Sequence, residues 1–146
     1  MSAEQSSTNV SIIGAWSIKG TPLSDGDPSK PFLGVAIFTE DGYVATSSTL
    51  YTQSAGAWKM LSPTCIHFSL VEPMIGGGTW IGSFYHFAAA VNLSNDGLSF
   101  STSTSTPVQT LFRGPDGNIL NEMTILLEGE RIQIGSPETL PLQISQ

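Results

Sequence analysis

The sequence is short of charge. Asp, Glu, Lys and Arg make up 12% of its 146 residues, about half the share found in an ordinary soluble domain. Positive charge is scarcer still: five basic residues, Lys19, Lys30, Lys59, Arg113 and Arg131, are scattered along a chain of net charge −7. No basic face can be assembled from them, so a nucleic-acid partner is not expected, nor is an anionic membrane surface. A single cysteine, Cys65, excludes an intramolecular disulfide. No run of ~20 apolar residues is present to cross a bilayer as a helix. The opening MSAEQSSTNV has neither the basic nor the apolar region of a secretion signal, and a cytoplasmic protein is expected. Stretches free of Gly, Pro and β-branched residues, long enough for a helix, are missing too.

What remains is 40% hydrophobic and rich in turn formers, with 15 Gly and 9 Pro. Such a chain is too apolar for disorder and suits one domain with its own core. Its strongest local signals are three Asp-Gly pairs, Asp41-Gly42, Asp96-Gly97 and Asp116-Gly117, each between apolar or β-branched runs. Asp-Gly accepts the positive φ of tight hairpin turns. Hairpins are therefore predicted with strands near 32–39 and 43–50, 80–93 and 98–106, and 108–113 and 118–128. Further strands are predicted over Gly14–Gly20, Gly56–Leu61, Thr64–Met74 and Arg131–Gly135. Successive hairpins make a meander, and closure hides its edges. The expected fold is all-β: a single closed or nearly closed antiparallel barrel of about eight strands over 11–135. A flexible tail (1–10) and an extended tail (136–146) flank it.

The stretch TWIGSFYHFAAAVNL, residues 79–93, is apolar on both faces when read as a strand. Trp80, Phe84 and His86 share one face, which is expected to line the interior. Ile81, Tyr85 and Phe87 share the other, expected at a contact between subunits; a bulge would exchange Tyr85 and His86. From Met60 to Phe112 the formal charges are Glu72 and Asp96 alone. So apolar an outer surface calls for a partner, and a homodimer is expected. FSTSTSTPV, read as a strand, either turns small polar residues inward and leaves a cavity or presents a solvated serine face.

Chemistry-bearing motifs are few. No Gly-x-Ser-x-Gly elbow occurs, and Gly76-Gly77-Gly78 has neither the phosphate-loop nor the dinucleotide spacing, so no cofactor is expected. Cys65 and His67 share a strand face that His86 can join, but no carboxylate lies with them, since alternation puts Glu72 on the opposite face. Metal is therefore not expected. A neutral His or a Tyr can serve acid–base work, which makes His86, His67 and Tyr85 the candidate catalytic groups, with Tyr43 and Tyr51 behind them. Glu122 is expected to point outward, because Ile119, Met123, Ile125 and Leu127 form the better inward face. Trp16, Phe38, Trp58, Trp80, Phe84, Phe100 and Met123 are the candidate pocket lining for a hydrophobic ligand.

Gly14-Ala15-Trp16 opens the first strand as the Gly-x-Trp element does in lipocalins. Gly56-Ala57-Trp58, Thr39-Glu40-Asp41-Gly42-Tyr43 and Asp116-Gly117-Asn118-Ile119-Leu120 extend the pattern. Over roughly residues 12–134 the chain resembles small, mostly uncharacterised bacterial proteins of the lipocalin-like, calycin type. The Thr-Asp-Tyr signature and the C-terminal helix of lipocalins are absent. The resemblance implies that Trp16 plugs one barrel end with Arg131 packed across it, and that the interior holds a small apolar molecule. Two functions are expected on this basis: carriage or sequestration of a small hydrophobic molecule, or, by likeness of architecture, a cofactor-independent cyclase or isomerase of a natural-product pathway.

Overall fold

Each Asp-Gly pair turns the chain. Gly42, Gly97 and Gly117 hold φ of 94°, 72° and 85°, left-handed values that cost glycine little. The computed structural model describes residues 10–24, 27–49, 53–76, 79–103 and 105–133, with 74–76 and 79–81 by backbone course alone. Among these it forms nine strands: β1 (Gly14–Pro22), β2 (Phe32–Phe38), β3 (Tyr43–Ser48), β4 (Ser54–Met60), β5 (Cys65–Gly76), β6 (Thr79–Leu93), β7 (Ser99–Ser101), β8 (Val108–Arg113) and β9 (Ile119–Arg131). Every pairing is antiparallel. β1 to β6 follow one another around the sheet, β6 pairs with β8, β8 with β9, and β9 returns to β1. A closed eight-stranded meander barrel results, consistent with a calycin-type fold. No helix among the described residues is long and apolar enough to cross a membrane.

The short β7 lies in the same lane as β8, between β6 and β9. Ser101 faces Glu128 and Val108 faces Ile125 on β9, so seven steps along the lane span three on its neighbour. Between β7 and β8 the lane therefore carries four more residues than β9 beside it. The strand expected over 98–106 shrinks to Ser99–Ser101 for this reason. Phe100 and Thr102 turn inward and are buried, while Ser99 and Ser101 are exposed. Of the expected tails, Val10 packs against the core; 1–9 and 134–146 lie outside the described residues, as do Gly135 and Tyr51.

Alternation decides what is inside. Ile66, Phe68, Leu70 and Glu72 of β5 are buried, and so are Phe87, Ala89, Val91 and Leu93 of β6. The expected phase of β6 is thus reversed: Tyr85 and Phe87 belong to the interior face, and Phe84 and His86 to the outer one. The reason is bulk. A strand apolar on both faces has no preferred side by hydropathy, and the face with Phe87, Val91 and Leu93 fills a barrel better than the one with Ala88, Ala90 and Asn92. On β9, Met123, Ile125 and Leu127 face inward and Glu122 is exposed, as expected, whereas Ile119, expected inward, is exposed as well.

Two glycines let rings lie on the wall. A Cβ on Gly20 would sit 2.2 Å from the Phe32 ring, and one on Gly129 would sit 2.4 Å from the Phe100 ring. Each glycine pairs with that aromatic across the ladder, so the ring covers backbone that would otherwise be bare.

Candidate functional site

One barrel end is closed from the residues upward. Trp16 opens β1, is 0% exposed, and donates its indole N–H to the Ile12 carbonyl at 2.8 Å. That bond draws the segment before β1 across the opening. Arg131, paired with Trp16 on the β1–β9 ladder, sets its guanidinium 4.3 Å from the indole centre, a cation–π contact. Its Nε donates to the Gly97 carbonyl at 2.9 Å, Nη1 to the Ile13 carbonyl at 2.8 Å, and Nη2 to the Ser11 carbonyl. Burial holds its pKa below the usual guanidinium value. One side chain thereby joins β9, the β6–β7 turn and the segment before β1.

Aromatic rings build the floor above Trp16. The Phe100 ring stands edge-on to Trp16 at 4.8 Å. Phe38 packs edge-on to Phe68 at 5.4 Å, and to Phe100 and Trp58 at 6.3 Å each. The Trp58 indole N–H donates to the Thr39 carbonyl at 2.9 Å, which fixes the β2–β3 turn beneath it. Edge-to-face contacts of this kind add stability beyond area burial.

Over this floor lies an apolar cavity of about 50 Å³. Phe38 and Phe100 line it at the bottom, Ala36, Leu70 and Phe87 along the sides, and Phe32 and Ser48 toward the other end. From Phe38 to Phe32 is six residues of β2, roughly 20 Å along the strand. A volume this small, with its lining spread over that length, leaves room for no more than a narrow channel. It holds less than the ~150 Å³ that accepts a benzene ring.

One step beyond the apolar lining, the wall becomes polar. Glu72 follows Leu70 on the inward face of β5, is 6% exposed, and accepts a hydrogen bond from the Ser54 hydroxyl at 2.8 Å. Tyr85 stands opposite Glu72 on the ladder. Burial first, and the Glu72 charge second, raise its phenol pKa above the ordinary value. Ser83 and Thr110 are buried on the same side of the wall. Thr110 lies opposite Phe87, and its hydroxyl has no hydrogen-bond partner among the described residues. Carboxylate, phenol and hydroxyl thus converge at the half of the barrel away from Trp16, where they can hold a polar group or move a proton.

Of the residues expected to line a pocket, Trp16, Phe38, Trp58 and Phe100 come together as the floor. Phe38 and Phe100 touch the cavity. Met123 packs against the core. Phe84 lies on the outer face opposite Pro73, and the Trp80 side chain lies outside the described residues. Of the expected acid–base groups among the described residues, Tyr85 alone faces inward, and Tyr43 is exposed. His86 and His67 are half-buried on the outer face, opposite Val71 and Lys59 respectively. Three residues of β5 separate the two positions, and no group of three or more His, Cys, Asp or Glu gathers among the described residues. Sequence reasoning passed over Glu72 as a functional group. The signal was there: it continues the Ile66, Phe68, Leu70 face through a region with one other formal charge. No protein-family model matches the chain, and no curated protein matches it.

Proposed function

We propose that this is a lipocalin-like binding protein that carries or sequesters a small hydrophobic molecule, with a slender apolar chain threaded into the barrel. The narrow channel between the Phe38–Phe100 floor and Phe32 carries the reading. A chain of methylenes fits a space too thin for a rigid ring, and each buried methylene contributes ~0.8 kcal/mol. The aromatic floor bounds its depth. Hexane and hexanol are the direct probes, with binding followed by ligand-observed NMR. Ala36, buried and lining the channel, gives the control: Ala36→Leu fills the space and is expected to abolish binding. Equal binding by wild type and Ala36→Leu would place the ligand elsewhere and sink the proposal.

The second reading, a cofactor-independent cyclase or isomerase, is favoured by one observation. Glu72 and Tyr85 face each other on the interior side of the ladder, as a general base and a proton donor would. A channel that constrains a flexible substrate supplies orientation as well. Recovering the molecule that copurifies with the protein from its natural source separates the readings. Carriage predicts one species throughout; catalysis predicts a product that is replaced by its precursor in Glu72→Gln.

A further inference from the structure

Resting on the proposed carriage of an apolar chain, we infer that Glu72, Tyr85 and Thr110 form a head-group subsite, which takes a hydrogen-bond-donating head (hydroxyl or amine) and rejects a carboxylate.

Position is the first support. Glu72 follows Leu70, Tyr85 precedes Phe87 and Thr110 follows Val108, each by two residues on the inward face, and Leu70, Phe87 and Val108 all line the channel. The ladder sets Glu72 opposite Tyr85, and Thr110 opposite Phe87. Three strands therefore bring polar atoms to one level, just past the apolar lining. A chain seated with its tip toward Phe38 and Phe100 leaves its head at that level.

Thr110 supplies an independent observation. It is 2% exposed, and its hydroxyl has no hydrogen-bond partner among the described residues. Folded proteins seldom leave a buried hydroxyl unsatisfied, because the desolvation is then uncompensated. A guest head group beside it removes that cost.

Charge selects the head. Glu72 brings a carboxylate into the interior at 6% exposure, and a second carboxylate beside it is repelled in a medium that screens poorly. A carboxylate ligand would need a cation, and none of the five basic residues lines the channel. Arg131 lies across the Trp16 ring, engaged with three carbonyls. Arg113 donates to the Gly117 carbonyl. Lys19, Lys30 and Lys59 are exposed. The interior thus offers a carboxylate acceptor and hydroxyls and no fixed positive charge, the complement of an alcohol or an amine.

The test uses the full chain and four probes of equal chain length: hexane, hexanol, hexylamine and hexanoate, titrated by ligand-observed NMR. Hexanol and hexylamine are expected to bind more tightly than hexane, and hexanoate at least about tenfold more weakly than hexanol. Glu72→Gln is expected to relieve the discrimination against hexanoate. Thr110→Val is expected to weaken hexanol roughly fivefold, the worth of one neutral hydrogen bond, and to leave hexane unchanged. Hexanoate binding as tightly as hexanol to the wild-type chain overturns the inference, and so does hexane matching both polar heads; in either case the barrel still holds a chain. Binding by none of the four overturns the carriage reading itself and the inference with it.

Discussion

Glu72 and Tyr85 stand directly opposite one another on the β5–β6 ladder, both turned into the barrel. Burial, and then the nearby Glu72 charge, hold the Tyr85 proton on. As pH rises through about 10, tyrosines of the unfolded chain ionise while Tyr85 in the barrel does not. The unfolded state then binds fewer protons at this group, so the stability contributed by Tyr85 is fully present below that pH and is lost as pH rises through its raised folded-state value. Urea unfolding at a series of alkaline pH values is expected to show this fall, and Tyr85→Phe to flatten it. In Glu72→Gln the Tyr85 titration, read from phenolate absorbance against the Tyr85→Phe background, is expected to move down toward the ordinary phenol value. A titration that stays in place would mean that burial alone sets it.

Arg131 holds the closed end through one cation–π contact and hydrogen bonds to three carbonyls. Arg131→Ala is expected to cost about 3 kcal/mol of unfolding free energy, the sum of the cation–π contact and charge-assisted bonds left unmade. Arg131→Lys keeps the charge and loses the planar fork, and is expected to restore less than half of it. Denaturant unfolding followed by tryptophan fluorescence measures both. Full stability in Arg131→Lys would show that charge, and not the fork, is what matters.

The Phe100 ring is held between Gly129 on one side and Trp16 on the other. Neither neighbour leaves it room to retreat from a new methyl group. Gly129→Ala is expected to destabilise the barrel by about 2–3 kcal/mol through overpacking. Phe100→Leu in the same chain is expected to recover part of that loss, a coupling that a double-mutant cycle by thermal unfolding reads directly. Strictly additive losses would show that the two positions do not press on each other.

The outer face of β2 to β5 is apolar and uncharged around Ile37, Ala45, Ala55 and Val71, with Ile37 51% and Val71 42% exposed. A second copy of the barrel is expected to cover it. Sedimentation equilibrium at micromolar concentration is expected to give the dimer mass for the wild-type chain and the monomer mass for Val71→Asp. A monomeric wild type would assign this face to solvent or to a different protein.

Architecture was legible because turns are local. Asp41-Gly42, Asp96-Gly97 and Asp116-Gly117 announce their hairpins through the backbone conformations they tolerate, and all three hold positive φ at the glycine. The pairing of Arg131 with Trp16 was legible as well, though only through a resemblance to lipocalins. Phase was not. On β6 both faces are apolar, so hydropathy could not choose between His86 and Tyr85. That choice depends on volumes summed across eight strands, which no single segment contains. Residues 81–83 of β6 also oppose Met74 alone, between the pairs Pro73–Phe84 and Ile75–Trp80; Gly82, at φ 87° within this bulge, has no period that would reveal it. Glu72 was legible in position and missed in meaning: weighed only as a metal ligand, it drops out because alternation puts it on the face opposite Cys65 and His67.

The four-residue excess between β7 and β8 gives the cylinder a seam. Along it, β6 passes from its pairing with Gln109 at Ala88 to its pairing with Ser101 at Asn92, and the backbone between has no ladder partner on that side among the described residues. Thr102 bridges the far edge by accepting from the Leu127 amide at 2.9 Å. A sealed cylinder can admit a guest only by its mouth, whereas one with a seam can part sideways where the fewest rungs must break. For the guest proposed above, sideways entry is expected at the height of Ala89 to Val91, where the described ladders leave the gap.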